Sequence, residues 1–136
     1  MVVGVDAELD ESRVDDVNET EDRIVSLWTE REVPAEEKHE LRDRFDEILR
    51  PLGYETSLVV IRRVNSLALC FICMTLAALM SLRDQWRSQQ LRETVKELFS
   101  SISPATVYVK RLTWPLSDYH RCLDFFKSVE GKLTVQ

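Results

Sequence analysis

Glycine is scarce in this chain: Gly4, Gly53 and Gly131 are the three found in 136 residues. A loop that holds phosphate on bare backbone N–H groups needs several glycines close together, so such a loop is excluded. A glycine-containing ligand loop of a small-molecule regulatory domain is excluded on the same ground. Cysteine is also sparse. Cys70, Cys73 and Cys122 are too few, and odd in number, for a secreted disulfide framework. Cys70 and Cys73 have a C-x-x-C spacing, but a three-residue step along a strand sends the two thiols to opposite faces. With no second pair they read as core cysteines and not as a metal or redox site. Aromatic residues make up 8% of the chain. Of these only Trp28 and Phe71 fall on the strands where an RNA-recognition sheet would stack bases, and no Lys/Arg-Gly-Phe/Tyr signature accompanies them.

A catalytic constellation is missing too. His39 lies on the charged side of a helix and His120 on a turn beside Asp118, neither near a serine or cysteine nucleophile in a recognisable arrangement. Asp43, Asp46 and Glu47 read as a solvated helix face. These absences point away from an enzyme and imply neither cofactor nor metal. The opening residues lack the basic start and apolar core of a signal peptide, so the cytoplasm is the expected address. Residues 66–82 form a 17-residue stretch without charge, with Arg62, Arg63 and Arg83 outside it. That is the short limit for a membrane-crossing helix. A buried strand turning into a buried helix at Thr75 accounts for it better, because the neighbouring segments are amphipathic and need something to pack on. Membrane insertion of 66–82 is kept as a minor alternative.

Charge is distributed unevenly. Residues 1–22 carry nine acids against Arg13 alone, a net of −8, and the remainder carries 15 acids and 17 bases, a net of +2. An acidic segment without aromatics buries too little apolar surface to offset its ordering entropy, which predicts a disordered tail over 1–22. The near-neutral remainder gives no general field for nucleic acid. A folded domain is expected over 23–130, followed by a short C-terminal tail over 131–136.

The apolar pattern of that domain is regular. Residues 23–30 alternate enough to predict a first strand. Pro34, Glu36 and Glu37 fit the first turn of a helix that carries Leu41, Phe45, Ile48, Leu49 and Leu52 on one stripe, ending at Pro51 and Gly53. Residues 58–64 and 67–74 predict two strands joined at Asn65-Ser66, the second apolar on both faces. Thr75 can cap a helix over about 76–83. A longer helix over about 88–102 carries Leu91, Val95, Leu98, Phe99 and Ile102. Residues 106–112 predict a fourth strand after Ser103-Pro104, and Ser117 caps a last helix with Tyr119, Cys122, Leu123 and Phe126 inward. The order strand–helix–strand–strand–helix–strand is that of an α+β, ferredoxin-like sandwich. A four-stranded antiparallel sheet then has helices on one face, with a C-terminal helix added.

Three stretches carry a resemblance to a known family. They are Ser66-Leu67-Ala68-Leu69-Cys70-Phe71, the run Leu82-Arg83-Asp84-Gln85-Trp86-Arg87-Ser88-Gln89-Gln90-Leu91-Arg92-Glu93-Thr94-Val95, and Tyr119-His120-Arg121-Cys122-Leu123. Together they resemble the N-terminal domain family of TRADD, the TNF-receptor-associated death-domain adaptor. There a strand ending in a leucine-x-aromatic pattern precedes a helix with Leu-Arg-x-aromatic-Arg. The resemblance covers about residues 23–129. It implies a four-stranded α/β sandwich without catalytic activity that docks onto the C-terminal TRAF domain of TNF-receptor-associated factors, in signalling to NF-κB and apoptosis. The chain departs from that family in its acidic first segment and in reaching Gln136 without a death domain, so recruitment through a death domain does not carry over.

The partner surface expected from this is the sheet face not covered by helices. If Leu67, Leu69 and Phe71 face the helices, then Ala68, Cys70 and Ile72 face outward. Trp28, Arg63, Lys110 and Arg111 are the candidates to join them. Trp86 and Trp114 are assigned to the core or to helix–strand corners. The competing reading is a self-associating domain whose apolar sheet face pairs with its own copy.

Overall fold

The computed structural model describes residues 1–14, 16–31, 39–102 and 106–134. The chain begins with a strand, β1 (Val2–Leu9). This overturns the expectation of a disordered acidic tail over 1–22. Val3, Val5, Ala7 and Leu9 are at most 3% exposed, while Asp6 between them is exposed. The acids of β1 sit on the outward positions of a period-two pattern, so their charge is no obstacle to burying the alternate residues. Residues 23–30 are not a strand. They belong to helix α1 (Val17–Glu30), whose first turn is capped by the Asp16 carboxylate accepting from the Glu19 N–H at 3.0 Å. Its buried residues, Glu21, Ile24 and Trp28, have helical spacing.

Helix α2 (His39–Ile48) follows and runs into a 3-10 turn at Arg50–Leu52, with Gly53 at φ 87° beyond it. That positive φ is a conformation glycine adopts without a Cβ penalty. Pro34, Glu36, Glu37 and the Leu41 side chain, expected in this helix, lie outside the described residues, as do Ser103 and Pro104. The hairpin β2 (Thr56–Arg63) and β3 (Leu67–Cys73) is where the apolar runs placed it. Thr75 caps α3 (Leu76–Arg87), its hydroxyl accepting from Ala78 N–H at 3.1 Å. Helix α4 (Gln90–Ile102) buries Leu91, Val95, Leu98, Phe99 and Ile102, and β4 (Val109–Thr113) follows. Helix α5 (Leu116–Thr134) starts one residue before Ser117 and reaches into the expected tail over 131–136.

The strand order is β2-β3-β1-β4 with every neighbour antiparallel. This is the expected ferredoxin-like order, with β1 in the central position assigned from sequence to residues 23–30. One continuous core joins Val3, Val5, Leu67, Leu69, Phe71 and Val109 of the sheet to Ile24, Trp28, Phe45, Leu79, Leu82, Leu91, Leu98 and Phe99 of α1–α4. Helix α5 occupies the flank of the sheet. β4 pairs β1 only over Asp6–Leu9. Beyond that point Gly4 N–H donates to Asp118 Oδ2 at 3.0 Å, and Cys122 Sγ lies 3.7 Å from the Val2 carbonyl. Tyr119 of α5 reaches Met80 of α3, so the helix closes the corner between sheet and helix layer.

Candidate interaction surface

Register fixes which residues share the face away from the helices. Cross-strand partners stand about 5 Å apart on the same side of an antiparallel pair. Ile72 is opposite Val2 and Ser57; Cys70 is opposite Gly4 and Val60; Ala68 is opposite Asp6 and Arg62. On the far side Asp6 faces Thr113 and Glu8 faces Arg111. One end of this face is thus Val2, Ile72, Val60 and Cys70, and the other is Arg62, Asp6, Glu8 and Arg111. Gly4, Ala68 and Cys70 keep its middle flat.

Three of the seven residues expected at a partner surface fall at its centre. Ala68 and Ile72 are half-buried, and Cys70, though 9% exposed, lies outside the core cluster that takes in Leu67, Leu69, Phe71 and Cys73. The outward parity of β3 is the one tied to Leu67, Leu69 and Phe71 facing the helices. Lys110 and Arg111 are exposed on β4, with Lys110 Nζ 3.8 Å from Glu8 Oε1.

Two of the seven do not belong there. Trp28 is on α1, 3% exposed, 5.5 Å from the Phe45 ring, and it donates through Nε1 to the Val59 carbonyl at 3.2 Å. Arg63 pairs with Leu67 and therefore points to the helix side, where it binds Asp22 and Asn18 of α1 and lies 3.9 Å from Glu21. The arginine facing outward is its neighbour Arg62. An irregularity in β2 explains the slip: Leu58 pairs with Phe71 and Val60 with Cys70, leaving Val59 as an extra residue. A bulge shifts strand parity by one, and nothing in the apolar string of β2 marks where it falls. Val2, Asp6 and Glu8 were missed for a different reason. Their alternation with Val3, Val5, Ala7 and Leu9 is a strand signal that the net charge of the segment obscured.

Both outer strands have carbonyls engaged by helix side chains. Arg31 Nη2 joins Trp28 at the Val59 carbonyl on β2, at 3.1 Å. Arg92 donates through Nε and Nη2 to the Val109 carbonyl on β4, at 3.1 and 2.6 Å. A carbonyl engaged in this way is not free to accept from an added strand.

Reactive chemistry is muted. Cys73 is fully buried, and desolvation pushes its thiol up to about 11; Cys122 is raised by the same cause. Among the described residues no cluster of His, Cys, Asp or Glu has the grouping of a metal site, and no helix is long and apolar enough to cross a membrane. Trp86 and Trp114 stack at 5.6 Å where α3 meets β4, with Trp86 Nε1 donating to the Leu112 carbonyl. Compared with family models, with curated proteins and with solved structures, the chain matches none.

Proposed function

We propose that this chain is a non-catalytic adaptor module of TNF-receptor and innate-immune signalling, acting in the cytoplasm, that recruits a TRAF-type domain through the open face of its sheet. The observation carrying this reading is the contiguous apolar set Val2, Val60, Cys70 and Ile72 at one end of the face, bordered at the other end by Arg62, Asp6, Glu8 and Arg111, with Lys110 beside Glu8. An exposed apolar patch next to a charged margin is a layout that protein interfaces use. The resemblance of residues 66–71, 82–95 and 119–123 to the TRADD N-terminal domain supports the choice of partner. The open face, with Arg62 in place of Arg63 and without Trp28, is the site this reading requires.

Self-association through the same face is the second reading. The face carries Arg62 and Arg111 together with Asp6 and Glu8, so two copies related by a twofold axis can match opposite charges.

Calorimetric titration of the chain against purified TRAF domains tests the first reading, with Ile72→Glu as the surface variant. Binding abolished by Ile72→Glu, with slowed alkylation of Cys70 in the complex, is the expected result. No heat with any TRAF domain, together with a dimer by sedimentation that Ile72→Glu dissociates, selects self-association instead.

A further inference from the structure

A second recognition site lies on the helix side of the molecule, against the outer strand β2. A cavity of about 620 Å³ opens between the end of α1, helix α2, the 3-10 turn and β2. Its floor is apolar: Trp28, Phe45, Leu52 and Leu58 line it, all at most 6% exposed, together with Leu49. Its rim is basic, with Arg31, Arg42 and Arg50 against Asp46. Arg31 is engaged, stacked 3.9 Å over the Trp28 ring and bonded to the Trp28 carbonyl, so its charge is fixed in place at one wall. Arg42 of α2 and Arg50 of the 3-10 turn are exposed. Tyr54, beside Gly53 at the mouth, is fully exposed, an unusual setting for an amphipathic ring.

The charge is notable because the protein as a whole is at −6. Among the described lining residues, the exposed Arg42 and Arg50 beside an apolar floor suit a partner that brings carboxylates and a large apolar side chain together. The spacing of the arginines narrows the choice. Arg42 in α2 and Arg50 in the 3-10 turn that follows it are eight positions apart, about 12 Å at the α-helical rise. At that separation each arginine can hold a carboxylate of its own. An extended peptide covers that length in about four residues, at about 3.3 Å each, with residues i, i+2 and i+4 on one side. Asp46 stands midway and repels a carboxylate there, opposite the apolar floor.

We propose that this cavity binds an extended acidic peptide of the pattern acid–x–apolar–x–acid, with a leucine or aromatic side chain seated on Phe45, Leu49 and Leu52 and the flanking carboxylates on Arg42 and Arg50. The proposal does not depend on the reading given to the open sheet face. The pattern differs from that of a fatty anion, which has one charge at the end of its apolar body.

Panning a library of random decapeptides against the full chain, followed by fluorescence anisotropy with the enriched peptide, tests it. The expected result is enrichment of the stated spacing. Binding should weaken at least tenfold when Arg42 and Arg50 are both changed to Glu, and should fall with added salt. Replacing the two peptide acids by their amides should produce the same loss without altering the protein, which keeps the test independent of folding in the variant. Enrichment of no pattern, or of one indifferent to these arginines and peptide acids, overturns the proposal. So does decanoate binding in the cavity while every acidic peptide fails.

Discussion

Asp118 takes the place of a β-strand for Gly4: its Oδ2 accepts the Gly4 N–H at 3.0 Å from 114 residues away in sequence. The first turn of α5 therefore continues the edge of β1 where β4 leaves it. Asp118→Ala should cost about 1–2 kcal/mol in a urea titration, because it strands a partly buried N–H. Asp118→Asn should recover part of that. Gly4→Ala should be close to neutral, since a Cβ there meets Asp118 Oδ2 at 3.5 Å, an ordinary contact.

Removal of residues 1–10 is expected to abolish cooperative unfolding. It takes out the strand that pairs with both β3 and β4, with Val3, Val5 and Ala7 each 0% exposed. A circular-dichroism melt of the truncated chain measures this. A sharp transition near that of the full chain would place β1 outside the folded unit.

Phe45 and Phe99 are 1% and 0% exposed and sit in the same core. Phe45→Ala and Phe99→Ala should each cost about 3–5 kcal/mol in denaturant unfolding. The Phe45 variant also deprives Trp28 of its ring partner, so its indole emission should shift to longer wavelength.

The hairpin β2–β3, the helices α3 and α4 and the fourth strand were legible in the sequence because each has a pattern that local chemistry must satisfy. Thr75 offers a hydroxyl where a helix N-terminus needs an acceptor, and Leu91, Val95, Leu98, Phe99 and Ile102 recur at helical spacing. The architecture was legible for the same reason. The first strand was not, since Asp6 and Glu8 raise the charge of a segment whose alternate residues are buried. In α1, Ile24, Leu27 and Trp28 fit either a short strand or a helix. Asp16 accepting from Glu19 decides for the helix, and it lies upstream of the apolar residues. At the candidate site, strand period puts Ala68, Cys70 and Ile72 on one face but does not say which face is outward, because both sides of β3 are apolar, and Arg63 fails because the bulge at Val59 exchanges its side with Arg62.

That exchange gives a paired test. Arg62→Glu should leave stability within about 0.5 kcal/mol, as an exposed substitution does, and should weaken TRAF-domain binding. Arg63→Glu sets a third carboxylate beside Glu21 and Asp22. It should cost about 1 kcal/mol or more of stability and leave the affinity of the folded protein intact. Guanidinium unfolding and calorimetry on the two variants check both halves.

Glu21 is 6% exposed, and desolvation raises its carboxyl above the ordinary value, outweighing the attraction of Arg63. A folded state that holds this proton more tightly than the unfolded chain loses stability as pH rises through the window above about 4.5. Glu21→Gln should therefore melt higher than the parent at pH 7. The gap should close as pH is lowered below the ordinary glutamate value. A variant that is less stable at pH 7 would mean the Arg63 contact dominates.

A strand that lies first in the chain and at the middle of the sheet has a kinetic consequence. The β2–β3 hairpin closes over a few residues and can form early at small entropic cost, but β1 must wait for partners far down the chain: Ile72 for Val2, Thr113 for Asp6. Such long loops slow the rate-limiting step relative to helical domains of similar size. During synthesis, Val3, Val5 and Ala7 leave the ribosome before either of the strands that pair with β1, and the edge that β4 covers stays unpaired for longer still. Over that interval the apolar residues of β1 are accessible to chaperones.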